Sequence, residues 1–129
     1  MTKYVFDSYA WIEYFIASGK GVHVRRLLEN PANEVFTPVI VVAEVCAKAK
    51  KDGFDYNEAH RKIASMSQVE SMDSALARDA GVLKQQTREK IGNFGIVDSI
   101  ILLTARKLGA KVLTGDYHLK GFEEAEFLQ

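Results

Sequence analysis

Lys3-Tyr4-Val5-Phe6-Asp7-Ser8-Tyr9-Ala10-Trp11 opens the chain with β-branched and aromatic residues that stop at an aspartate. Lys3–Asp7 has the composition of a short strand. From Ser8 to about Ala17 the apolar positions, Tyr9, Ile12 and Ile16 among them, recur at helical spacing and close at Ser18-Gly19. The same unit repeats outward from there. Val22–Glu29 is predicted to be a second helix, stopped by Asn30-Pro31, because the residue before a proline is pushed out of the helical region. Glu34–Thr37 reads as strand, and Pro38 suits the first turn of the helix after it. That helix runs from Val39 through Glu44 and Cys46 to Lys48, Lys50, Lys51 and Gly53, its lysines complementing the negative end of the helix dipole.

Tyr56–Ser65 reads as helix, Val69–Met72 as strand, and Asp73 or Ser74 as the cap of a long helix reaching about Arg88. After a loop at Asn93-Phe94-Gly95, Ile96–Leu108 is an amphipathic helix ended by Gly109. Lys111–Leu113 is a strand leading into Thr114-Gly115-Asp116, and a last short strand falls near Glu126–Leu128. Strand alternating with helix along the whole chain predicts the α/β class, a parallel sheet covered by helices on both faces. No repeat or linker divides it, so residues 1–129 are expected to form a single domain. Sites in such sheets form at the carboxyl ends of the strands. Asp7 and Asp116 both occupy such positions.

The composition is that of a folded protein: 47% hydrophobic and 26% charged residues leave enough apolar surface for a core. Asp7 interrupts the place where a signal peptide needs its apolar centre, and the apolar stretches near Pro38–Val45 and Ile96–Leu103 contain acids and are too short to span a bilayer. A single cysteine forms no internal disulfide and fits a reducing compartment. The expectation is a soluble, cytoplasmic protein. Lys plus Arg equals Asp plus Glu at 17 each, so overall attraction does not hold this chain to a long nucleic acid. Binding a polyanion requires a local basic surface, a bound cation or a second copy of the chain.

Two further acids stand out. Glu44 lies among Val41, Val42, Ala43, Val45 and Cys46, and Asp98 between Val97 and Ile100-Ile101-Leu102-Leu103. Each interrupts an apolar helical face, and a buried unpaired carboxylate is costly. Two things offset that cost: an arginine or lysine partner, or a divalent cation. Four carboxylates without a histidine or cysteine cluster suit a hard, oxygen-seeking ion such as Mg²⁺ or Mn²⁺. Zinc would demand imidazole or thiolate, and His23, His60, His118 and Cys46 show no ligand spacing. An ion so held can acidify water and neutralise charge on a phosphodiester, with the Ser8 and Thr114 hydroxyls placed to orient an acid or the water. The structural alternatives are a helix cap at Asp7, a turn at Asp116 and salt bridges at Glu44 and Asp98.

In order along the chain, Val5-Phe6-Asp7-Ser8-Tyr9-Ala10-Trp11, Val42-Ala43-Glu44-Val45, Ile96-Val97-Asp98-Ser99-Ile100-Ile101 and Val112-Leu113-Thr114-Gly115-Asp116-Tyr117-His118-Leu119 resemble the motifs of PIN-domain nucleases, in particular VapC-type toxins of prokaryotic toxin–antitoxin pairs. The resemblance implies a PIN-like three-layer α/β/α fold with a central parallel sheet. It also implies a Mg²⁺- or Mn²⁺-dependent endoribonuclease in which Asp7, Glu44, Asp98 and Asp116 match the acidic quartet and Thr114 the hydroxyl residue. Homodimers and a small antitoxin partner are common in that branch. Leu119 stands where the family often has an aromatic residue.

Other residues read more plainly. Lys48, Lys50 and Lys51, and the stretch Lys84, Arg88 and Lys90, are weighed as RNA guides against solvated helix surface, the second being the expectation. Trp11, Tyr14 and Phe15 are expected in the core, Cys46 as a buried small hydrophobe, and His118 in a supporting role beside Asp116. A phosphatase with an early aspartate nucleophile wants a second acid where Tyr9 stands, and a phospho-receiver domain wants an early acidic pair and a late lysine. The remaining alternatives are an RNA-processing PIN nuclease without antitoxin and a non-catalytic PIN-like scaffold. The scaffold would be expected to lack one or more of the four acids.

Overall fold

The computed structural model describes residues 1–128. Five strands, β1 (Thr2–Phe6), β2 (Asn33–Pro38), β3 (Gln68–Glu70), β4 (Lys111–Thr114) and β5 (Ala125–Phe127), form one sheet in the order β3-β2-β1-β4-β5. Every pairing is parallel. Val5 of the central strand faces Phe36 on one side and Val112 on the other, so β1 is buried between two neighbours, as its unbroken apolar run requires. The helices are α1 (Ser8–Phe15), α2 (Gly19–Glu29), α3 (Val39–Asp52), α4 (Tyr56–Met66), α5 (Ser74–Arg88) and α6 (Ile96–Leu108). They pack as α1 on α2, α3 on α4 and α5 on α6, with α1 also against α3.

From β1 the chain steps outward to β2 and β3, then returns past β1 to β4. Right-handed crossovers therefore place α1 to α4 on one face and α5 and α6 on the other. The result is the expected three-layer α/β/α arrangement. The reversal of direction between β1 and β4 creates a crevice at their carboxyl ends, the place where such sheets bind ligands. Because α1 and α3 start directly after β1 and β2, and α6 ends directly before β4, all three have their N-termini at this edge.

Boundaries differ from the sequence reading where a local contact overrides composition. Ser18 begins α2 instead of ending α1: its side chain accepts the Gly21 N–H at 3.0 Å, so the helix starts at Gly19, three residues before Val22. Pro38 stays extended as the last residue of β2 and the cap position of α3. β3 is shorter and earlier than Val69–Met72 because it pairs only as far as Glu70 opposite Pro38, where β2 turns into helix. β5 likewise pairs over Ala125–Phe127 and not to Leu128, which is buried after it. Asp73, of the two candidates, caps α5 by accepting the Leu76 N–H at 2.8 Å.

Trp11 is completely buried, edge-on to Phe6 and stacked on Phe15. Its indole N–H donates to Thr37 Oγ1 at 3.1 Å. Ser67 Oγ lies 2.7 Å from Thr37 Oγ1 and donates to the Ile63 carbonyl, so the Thr37 hydroxyl must donate to Ser67. This relay ties α1, β2 and the end of α4 together through the core. Cys46 departs from expectation: it is half-exposed with its thiol toward the Tyr56 carbonyl, and Val45 takes the buried position beside it. Leu119 is buried, a packing role in place of an aromatic ring.

Candidate active site

Asp7, Glu44, Asp98 and Asp116 line one cavity of about 680 Å³ at the carboxyl edge of β1 and β4. Asp7 follows β1 directly and is 4% exposed. It caps α1, its Oδ1 accepting the Ala10 N–H at 2.8 Å, so the structural role weighed for it is real and the carboxylate still faces the cavity. Glu44 reaches the cavity from the second turn of α3, and Asp98 from the first turn of α6. Asp98 Oδ2 accepts the Gly95 N–H at 2.8 Å, which fixes it against the helix start. Asp116 lies beyond β4 in a tight turn: its N–H donates to Thr114 Oγ1 at 2.9 Å and its Oδ1 accepts the His118 N–H at 2.8 Å. Cap, turn and cluster are thus served by the same side chains.

The charges are poorly compensated. Burial pushes the Asp7 carboxyl up to about 7; hydrogen bonds from Thr114 and the Ala10 N–H act against that rise, and Asp116 and Glu44 add to it. Glu44 is raised by desolvation, with the Ser8 hydroxyl opposing and the charges of Asp98 and Asp116 reinforcing. Asp98 is raised by desolvation too, opposed by the Gly95 N–H and His118 and reinforced by Asp116. Among the described residues no lysine or arginine forms an ion pair with any of the four acids. Of the two ways to offset buried carboxylates, the basic partner is therefore missing. The donor set fits a divalent cation: four carboxylates line one cavity, with two of them close enough to share an ion.

Within the cavity the tightest group is Asp98, Asp116 and His118, one ligand atom of each lying within 4.8 Å of the others. His118 Nδ1 is 3.1 Å from Asp116 Oδ1 and 3.5 Å from Asp98 Oδ2. Asp7 and Glu44 share the cavity but stand outside that group. Thr114 is fully buried and touches both Asp7 and Asp116. Lys20, which no sequence pattern singles out, also belongs to the site. It lines the cavity and donates to the Tyr9 hydroxyl at 3.1 Å, while the Tyr9 ring lies so close over Gly115 that any Cβ there would collide with it. Lys48, Lys50, Lys51, Lys84, Arg88 and Lys90 line no part of it; Lys48 pairs with Asp52 at 3.0 Å.

The model of the PIN domain family matches residues 4–126 of the sequence. The chain belongs to the PIN domain family. The architecture of this PIN domain is also that of solved structures. It is similar to a toxin–antitoxin complex from Klebsiella pneumoniae (TM-score 0.74, 21% identity, covering 97% of each chain). It is similar to the DNA-bound VapBC of Salmonella typhimurium (TM-score 0.74, 18% identity, 100% of each chain). It also resembles VapC20 of Mycobacterium tuberculosis, described as a sarcin-ricin loop cleaving toxin (TM-score 0.68, 18% identity, 94% of this chain and 97% of that one). Comparison with curated proteins gave no match. Among the described residues no helix of this PIN domain is long and apolar enough to cross a membrane.

Proposed function

We propose that this PIN domain is a Mg²⁺- or Mn²⁺-dependent endoribonuclease and the toxin of a VapBC-type pair, acting as a single nuclease domain in the cytoplasm. The observation that carries the reading is the meeting of four acids at the sheet's switch point without a lysine or arginine to pair them. Asp7, Glu44, Asp98 and Asp116 would hold the ion, and Asp98 and Asp116 are already gathered, with His118 beside them. When bound, a divalent cation supplies Lewis acidity, making water a stronger acid and offsetting charge that builds on the phosphoryl oxygens.

The remaining work falls to the chain itself. The Thr114 hydroxyl orients Asp7 and takes the Asp116 N–H, so it sets the distance between the acids that follow β1 and β4. Gly95 and His118 fix Asp98 and Asp116 through their N–H groups, and Ser8 faces Glu44. Ionisation of Asp7 prepares the site, because a neutral carboxyl is a poor ligand. Folds shared with toxin–antitoxin complexes support an antitoxin partner; the homodimer of this proposal rests on the family resemblance alone.

The test is cleavage of a labelled single-stranded RNA in Mg²⁺, in Mn²⁺ and in EDTA, with Asp98→Asn alongside. Cleavage is expected with either metal, none in EDTA, and a drop of roughly a hundredfold or more in the variant. The amide can still accept the Gly95 N–H, so the variant should remain folded by circular dichroism. Equal cleavage by the variant, or cleavage in EDTA, refutes the assignment.

A further inference from the structure

One lip of the acidic cavity is aromatic and basic. Tyr117, next to Asp116, is 75% exposed although it lines the cavity. Its ring centroid lies 5.3 Å from that of half-buried Phe127, and Lys120 Nζ sits 5.2 Å from the Tyr117 ring and 5.0 Å from the Phe127 ring. Lys20, the only lysine or arginine lining the cavity among the described residues, stands on Tyr9 close by. Phe127 and Lys120 steady the Tyr117 ring, yet burial does not: three quarters of an apolar surface is left in water beside the acids. An exposed aromatic ring with one ammonium group against it and a second held on Tyr9 of the same cavity is complementary to a strand of alternating planar bases and phosphates.

We propose that Tyr117 is the stacking platform for a base of single-stranded RNA next to the phosphodiester at the acidic cluster, with Lys20 and Lys120 meeting the adjoining phosphates. The choice of RNA rests on the ribonuclease reading above. The acids alone would repel the strand; the two ammonium groups supply local attraction in a chain of zero net charge. Stacking also tolerates any base, so Tyr117 contributes affinity and placement more than sequence choice.

The test compares Tyr117→Ala and Tyr117→Phe with the parent chain on a short labelled RNA and on the same strand with its bases removed. Binding is read by fluorescence anisotropy in the Asp98→Asn background with Mn²⁺, and KM and kcat in the active chain. Tyr117→Ala should weaken binding to intact RNA roughly five- to hundredfold, while Tyr117→Phe stays within about twofold. KM should rise for Tyr117→Ala with kcat nearly kept. On the strand without bases, parent and Tyr117→Ala should bind alike. Equal binding of intact RNA by Tyr117→Ala, or the same loss on both strands, overturns the proposal. If RNA is cut but Tyr117→Ala is indifferent, the platform falls and the nuclease stands. Binding that needs Tyr117 without any cleavage supports the platform and removes the nuclease; no RNA binding by the parent overturns both.

Discussion

Water is nearly excluded from Asp7, and ionising it there means placing a charge beside Glu44 and Asp116. Its carboxyl titrates near 7 in the folded chain, against the ordinary 3.8 when unfolded. Between those values the folded protein binds more protons at this site, so its contribution to stability is full below the lower value and is lost as pH rises through the upper one. In EDTA, Asp7→Asn should therefore raise Tm at about pH 8, by roughly 5 °C, and the gain should fade as pH drops toward about 4. Thermal melts across that range decide it: a gain independent of pH would mean that packing, not charge, separates the two proteins. The acids themselves were plain in the sequence, because each interrupts an apolar run or ends a strand. Lys20 and Tyr117 were not. Lys20 lies next to Gly21, where α2 comes up against the α1 backbone at Glu13, a contact that no spacing rule anticipates. Tyr117 looks like any aromatic residue until its exposure is known.

At the level of elements, the relay from Trp11 through Thr37 to Ser67 holds α1 and α4 to β2. Thr37→Val keeps the shape of the side chain but leaves the buried Trp11 N–H without an acceptor, which should cost about 1–3 kcal/mol in denaturant unfolding. Thr37→Ser should recover most of it. An unchanged midpoint for Thr37→Val would show that the relay is incidental to stability. Strand and helix identities were legible from apolar periodicity throughout, including the central β1 and the acid-bearing α3 and α6. The short edge strands β3 and β5 were misplaced by one or two residues, since pairing with β2 and β4 sets their limits and their own composition does not. The start of α2 was hidden by its two glycines, poor helix formers that a serine cap overrides.

For the molecule as a whole, a cation at the cluster would bind the folded form only, because the four acids come from four separate segments. Adding Mn²⁺ should raise Tm, and by more at about pH 8 than at about pH 6, since Asp7, pushed up to about 7, must shed its proton to bind it. The comparison is a pair of metal titrations followed by thermal melting. An equal shift at both pH values would place the ion elsewhere. The strand order also decides what a fragment can do. β1 and its neighbour β4 are adjacent in the sheet, yet β2, β3 and all six helices lie between them in the chain. A piece that stops at β3 carries Asp7 and Glu44 but has neither Thr114 to orient the first nor Asp116 to face it. On the nuclease reading the domain is therefore harmless until it is whole: closing the sheet at β4 is what arms it.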